Sequence, residues 1–318
     1  MNNQNLYHFF DSLSPSDEQK EKMLAEILKK GEKTMKRTIK ISMTAVAAVA
    51  ICVLTSIAAL AATFNWHEKL TAFLKPTPQQ MEHLQGASAR PQASVTNNGV
   101  TVNVLQTLTD RHGIYVLYEV IAPEGTELTK DSRFQLSSLD YDFEKSTDTG
   151  FGTEGSKVIA ADGNQMQMLL YSSCTGKITD QTITLTLCDL GDIKGDWTLS
   201  WELNYVDLTK EIAVNQPVHV NETNQNVITN VYVSPMSIHM YVQGDDVLMA
   251  LHPTITYRDG SQIQLDAVNN FNTSYIFSNF LEGDNRKGTC VIGYRFDRIT
   301  DLDELESVTI GDVTVPFH

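Results

Sequence analysis

Twenty-four consecutive residues, Ile41 through Phe64, carry no charged side chain, and no other stretch restricts the fold of this chain so tightly. A bilayer core takes about 20 apolar residues at 1.5 Å each. Soluble core helices rarely run so long without a charge, and the apolar part of a secretory signal spans only about 7–15 residues. Ala59-Leu60-Ala61 offers a small-residue cleavage site, but it would follow a leader of 40 residues. Residues 41–64 are therefore expected to form an uncleaved transmembrane helix. Lys29, Lys30, Lys33, Lys36, Arg37 and Lys40 crowd its N-terminal side, against Lys69 and Lys75 on the other. The positive-inside bias then places the N-terminus in the cytoplasm and residues 65–318 outside the cell membrane. Trp66 suits the outer interface.

A chain of 318 residues suggests about two domains besides the span. Its net charge of −15 is uneven: residues 1–40 hold eight Lys/Arg and six Asp/Glu, and the rest hold 16 and 33. The acidic bulk argues against direct contact with nucleic acid, because phosphate repels it. Of the four cysteines, Cys52 falls in the apolar run. Cys174, Cys188 and Cys290 are an odd set, so at least one is free or pairs between chains. Cys174 and Cys188 could bridge neighbouring strands or stay as buried thiols.

The tail, residues 1–40, contains one helix signal. Ser14 can cap, Pro15 fits the first helical position, and Asp17 reaches back to the cap. Leu24, Ile27, Leu28 and Met35 share a stripe that a segment this short cannot bury by itself. The stripe lies on the membrane or docks on a partner, through Leu24, Ile27 and Leu28. Beyond the span, residues 65–95 are read as a juxtamembrane helix to Leu74, ended by Pro76 and Pro78, and then a polar stalk.

From residue 96 the apolar period becomes two. Val100, Val102 and Val104 alternate after the Asn98-Gly99 turn signal. Ile114 to Val120, Met166 to Leu170, Ile183 to Leu187 and Trp197 to Tyr205 follow the same rule. One buried and one wet face is the pattern of antiparallel sheets, and many short strands indicate a sandwich. The second group holds strands at Val227–Val233, Ile238–Val242, Val247–Leu251 and Cys290–Phe296. Hairpins are expected around Arg258-Asp259-Gly260-Ser261 and Gly311-Asp312, and a helical turn at Thr300-Asp-Leu-Asp303. The expectation is two antiparallel, immunoglobulin-like β-sandwich domains, 96–208 and 212–318, joined where Val206 to Glu211 breaks the alternation.

No catalytic constellation stands out. The eight histidines lie apart, none in HExxH or paired at metal spacing. Asp140-Tyr-Asp142-Phe-Glu144 and Gly244-Asp-Asp246 lack the Gly and distant Glu of a calcium loop. Asn221-Glu-Thr and Asn272-Thr-Ser match glycosylation sequons. No cofactor is expected.

Several stretches carry a resemblance. Ser14-Pro-Ser-Asp-Glu-Gln-Lys-Glu-Lys-Met-Leu24, the span, Asn98-Gly-Val-Thr-Val102, Ile114-Tyr-Val-Leu-Tyr118 and Ala122-Pro-Glu-Gly-Thr126 contribute to it. So do Ser234-Pro-Met-Ser237, Asp259-Gly-Ser261 and Leu302-Asp-Glu-Leu-Glu-Ser-Val-Thr-Ile-Gly311. In order and spacing they resemble the domain-of-unknown-function 4179 family of Gram-positive bacteria. Its members are single-pass, anti-sigma-factor-like proteins found beside extracytoplasmic-function sigma factors. The resemblance implies a regulator whose residues 1–39 hold such a sigma factor and whose outer part meets an unknown extracellular ligand or protein. It transfers no catalytic residue. The tail departs from larger helical anti-sigma units in having one helix and no cysteine. Two readings stay open beside it: a cell-envelope binding or structural protein, and an extracellular enzyme whose site is assembled by folding.

Overall fold

The computed structural model describes residues 66–144, 152–219, 225–245, 252–265, 273–278 and 287–318. The apolar run 41–64, the tail with Leu24, Ile27 and Leu28, Cys52, the expected strand Val247–Leu251, the sequon at 221–223 and the Asn272 of the second sequon lie outside these residues. Among the described residues no helix is long and apolar enough to cross a membrane. What they form is mainly β, and every strand pairing is antiparallel.

Two short helices come first, α1 (Glu68–Leu74) and α2 (Pro78–His83), followed by a 3₁₀ turn at Leu84–Ala87. Eleven strands follow: β1 (Ser88–Ala89), β2 (Ser94–Asn97), β3 (Val100–Thr109), β4 (Gly113–Ile121), β5 (Phe134–Asp140), β6 (Phe143–Glu144), β7 (Gly152–Asp162), β8 (Gln165–Cys174), β9 (Lys177–Ile178), β10 (Gln181–Leu190) and β11 (Ile193–Leu203). A six-stranded sheet runs β1-β3-β4-β8-β7, with β2 also on β3. It faces the three-stranded sheet β11-β10-β5, and the two share one core. That core holds the expected alternations: Val100, Val102 and Val104, Ile114 to Val120, and Met166 to Leu170, against Ile183 to Leu187 and Trp197 to Leu203.

The second half holds β12 (Lys210–His219), β13 (Gln225–Val233), β14 (Ser237–Asp245), β15 (Thr254–Tyr257), β16 (Gln262–Gln264), β17 (Thr273–Ser278), β18 (Lys287–Arg295), β19 (Leu305–Ile310) and β20 (Val313–Pro316). Sheets β12-β13-β14-β18-β17 and β16-β15-β19-β20 enclose a second core, including Ile228, Val231, Ile238, Met240, Ile292 and Val308. Both halves are thus two-layered and sandwich-like. Residues 204–209 lie between them without regular structure, but β12 begins at Lys210, inside the stretch read as a break. It is an edge strand with Pro217 and a register shift at Ala213/Gln216, so its alternation is blurred.

Turn chemistry sets the hairpins. Asn98 and Gly99 both have positive φ, 46° and 76°, as a two-residue type I′ turn requires. Gly260 (φ 83°) and Gly311 (φ 58°) close the β15–β16 and β19–β20 hairpins. An Asp301 side-chain cap opens the short 3₁₀ turn Leu302–Glu304.

Two expectations are corrected. First, β4 is not wet on one face. Ile114, Val116, Tyr118 and Val120 enter the first core, while Tyr115 and Leu117 enter a third cluster on the other side. Second, residues 78–94 are not a polar stalk. Pro78 does not merely end α1; it starts α2 at a position where a missing N–H costs nothing. Thr77 and Gln80 make a reciprocal capping box, with Gln80 N donating to Thr77 Oγ1 at 3.3 Å and Thr77 N to Gln80 Oε1 at 2.8 Å. α1 itself ends in a left-handed cap at Lys75 (φ 49°). Trp66, Leu70, Leu74, Met81, Leu84 and Ala87 then pack on Leu108, Tyr115, Leu117 and Leu169, covering the sheet's second face.

A bulge makes this covering possible. The register of β3 against β4 shifts between Val104 and Gln106, which turns Gln106 and Leu108 toward the helices. Gln106 is fully buried there and used at both ends: its Oε1 accepts from His67 N at 2.6 Å, and its Nε2 donates to Ser88 Oγ at 2.6 Å. The sheet thereby pins the residue just before α1.

Removing the centre of this seat is expected to be costly. Leu70 is fully buried, so Leu70→Ala should lower unfolding free energy by about 2–5 kcal/mol. Gln79→Ala, on the exposed side of α2, should stay within about 0.5 kcal/mol. Denaturant unfolding of the purified chain in detergent measures both.

Candidate functional site

The turn joining β3 to β4, Asp110-Arg111-His112-Gly113, is where the first half meets the second. It closes on itself: Asp110 N donates to Gly113 O at 2.9 Å, and His112 N donates to Asp110 Oδ1 at 2.9 Å. Opposite lies Ser234-Pro235-Met236-Ser237, between β13 and β14. Here Ser234 N donates to Ser237 O at 2.8 Å, and Ser234 Oγ accepts from Met236 N at 3.1 Å and Ser237 N at 3.0 Å. Short polar side chains bonding to nearby amides are the usual chemistry of such turns.

The two turns are joined by a carboxylate. Ser234 Oγ donates to Asp110 Oδ2 at 2.5 Å and Ser237 Oγ to the same oxygen at 2.7 Å. Burial raises the Asp110 carboxyl above the ordinary carboxylate range, and the two serine hydroxyls and the His112 and Gly113 amides pull it back. Ser234 is held by these bonds on both donor and acceptor sides. That wiring makes a structural clasp and leaves no lone pair prepared for nucleophilic attack.

Rings line the clasp. His112 lies 4.4 Å from His239 between centroids, tilted 33°, with Tyr232 at 5.2 Å edge-on. Nδ1 of His112 is 3.0 Å from Gly176 O, which can only accept, so this nitrogen carries the proton. His239 sits on β14 opposite Gly293 of β18, where a Cβ would meet its Nε2 at 2.9 Å; only glycine lets the ring lie there. Arg111 extends across to the second half with its guanidinium carbon 4.6 Å from the centre of the Tyr232 ring, and NH1 is 3.6 Å from Asp207. Tyr241 of β14 donates to Thr175 O of the first half.

The helices join both halves as well. Ile299 N donates to Leu74 O at 3.0 Å, and Met236 and Ile299 belong to the same cluster as Trp66, Leu70 and Leu74. Beside them is a cleft of about 400 Å³ lined by Phe73, Tyr115, Lys157, Tyr171, Arg295 and Asp297, among others. Its cations already lie over ring faces, Arg295 4.6 Å above Tyr171 and Lys157 5.8 Å above Phe73.

Of the residues singled out from sequence, Leu24, Ile27 and Leu28 lie outside the described residues. Cys174, Cys188 and Cys290 are free thiols; Cys174 Sγ donates to Gly176 O at 3.1 Å, beside the junction. Among the described residues no group of three His, Cys, Asp or Glu is arranged to hold a metal ion. Asp110, His112 and His239 were legible only as turn and strand residues, because the fold brings them together from positions more than 120 apart. The available signal was Ser234-Pro-Met-Ser237, a small-residue turn between two apolar strands.

The clasp yields a quantitative expectation. Ser234→Ala and Ser237→Ala should each cost about 1.5–3 kcal/mol, as hydrogen bonds to a charged group do. Asp110→Ala should cost more than either, and a double-mutant cycle of Asp110 with Ser237 should give a coupling of about 0.5–3 kcal/mol. Urea unfolding monitored by Trp fluorescence reads these values.

A scan of protein-family models and a search of curated proteins each find no match to this chain. A solved structure titled the crystal structure of the conserved domain protein from Bacillus anthracis is similar to it, with 13% identity, a TM-score of 0.48, and coverage of 70% of this chain and 75% of that one.

Proposed function

We propose that this chain is a membrane-anchored regulator of the domain-of-unknown-function 4179 type. Residues 1–40 lie in the cytoplasm, residues 41–64 cross the membrane, and two immunoglobulin-like sandwich domains, 96–208 and 212–318, stand outside. The tail holds an extracytoplasmic-function sigma factor through Leu24, Ile27 and Leu28, and the outer part answers an extracellular signal.

The observation that supports this reading is the seat of α1. The helix starts four residues after the apolar run ends, and its buried face packs on the first sheet and on Met236 and Ile299 of the second half. A partner that alters how the two halves meet would alter the support of the segment leaving the membrane. An inert anchor needs no such seat. Signal transmission does, because an effector can act only through a differential contact with two states.

Recovery of a sigma factor on the immobilised tail is the expected outcome. Leu24→Asp should weaken that capture roughly 10- to 100-fold, from the ~1.5–3 kcal/mol lost when one buried leucine becomes charged. A tail that captures no sigma factor in either form, together with unchanged transcription after deletion of residues 1–30, would replace this reading with that of an envelope-binding protein.

A further inference from the structure

The clasp uses Asp110 and two serines; it leaves the two histidines unexplained. His112 comes from the first half and His239 from the second, and their rings lie 4.4 Å apart with both side chains buried. His112 Nε2 and His239 Nδ1 have no hydrogen-bond partner. A proton gained at either nitrogen would place a cation in a buried site where that N–H has no partner.

We propose that the His112–His239 pair is a proton-operated latch: mild acid parts the two β halves at this junction while each half keeps its own core.

The surroundings offer the extra charge no relief. On the same turn, Arg111 carries like charge, and Asp110 is committed to Ser234, Ser237 and its own turn. At the end of β8, the Cys174 thiol, kept neutral by burial, donates to Gly176 O, the acceptor of His112 Nδ1. From β13 and β14 come the rings of Tyr232 and Tyr241. Asp207 is engaged with Arg111 and Lys177, and Glu211 with Tyr232. Desolvation holds His112 well below the ordinary histidine range, helped by His239 and Arg111, and brings His239 to about 3.

The direction follows from linkage. Both imidazoles are neutral in the closed junction and regain an ordinary value of about 6.5 when water reaches them. The open state therefore binds more protons, and closure, complete above about pH 6.5, is lost as pH falls. Asp110 opposes this, since its raised carboxyl favours the closed form in acid, but it is one group against two. Two released histidines raise the open-to-closed ratio by about 100-fold between pH 7.5 and 5.5, and Asp110 acts to reduce this.

The test is hydrogen exchange of the full chain in detergent micelles, corrected for intrinsic exchange at each pH. Segments 109–113 and 233–238 should show an opening constant that rises about 10- to 100-fold from pH 7.5 to 5.5. Segment 183–188, in the first core, should not follow. His112→Phe or His239→Phe should each remove about tenfold of that response, and the double variant should flatten it. A wild-type opening constant that does not change, a rise shared equally by segment 183–188, or a folded double variant that still opens would overturn the latch. The wild-type comparison decides even if a variant fails to fold. The result is independent of whether the tail binds a sigma factor.

Discussion

A carboxylate removed from water must be satisfied by hydrogen bonds or it destabilises whatever encloses it. Asp110 is such a group, and its position dictates how the two β halves meet. One of its oxygens organises its own turn and the other receives both serine hydroxyls of the opposite turn. Apolar faces can slide past one another at modest cost, whereas a two-donor clasp to one oxygen has a single geometry. The halves share no sheet, yet the clasp, the ring contacts around it and the helices spanning Leu74 to Ile299 give the junction a defined register.

The fold was legible where strands are central or flanked by turn chemistry. The alternations at Val100, Ile114, Met166 and Ile183 mark strands inside their sheets, Trp197 marks the edge strand β11 because its inner face fills the core, and Asn98-Gly99, Gly260 and Gly311 sit in the turns their φ values require. β5, β7, β12 and β17 were not marked by alternation, and all four lie at the edge of their sheets. An edge strand has one neighbour, tolerates polar residues and proline, and benefits from them as protection against pairing with other chains. β4 failed in the opposite sense. It reads as alternating because Ile114 and Val116 are spaced by two, but Tyr115 and Leu117 are apolar as well, the signature of burial on both faces. Of the helices that cover it, α1 was legible to Leu74, whereas α2 was hidden by its proline and glutamines, which here form a cap.

The site was far less legible than the fold. A single Asp in a turn and a single His in a strand carry no spacing signal, and the chemistry arises only when β13 and β14 bring their connecting turn against the one at Asp110. Burial inverts the meaning of such residues. An exposed histidine is an ordinary surface group, whereas the same side chain buried against another acquires a dependence on proton concentration.

The pin at Gln106 bears on where the folded region begins. His67, whose amide it holds, lies three residues beyond Phe64. Fully extended, that stretch reaches about 10 Å. The folded region therefore begins at a point the sheet itself fixes: His67 cannot leave the sheet without giving up its bond to Gln106, so α1 and the strands beneath it move as one piece.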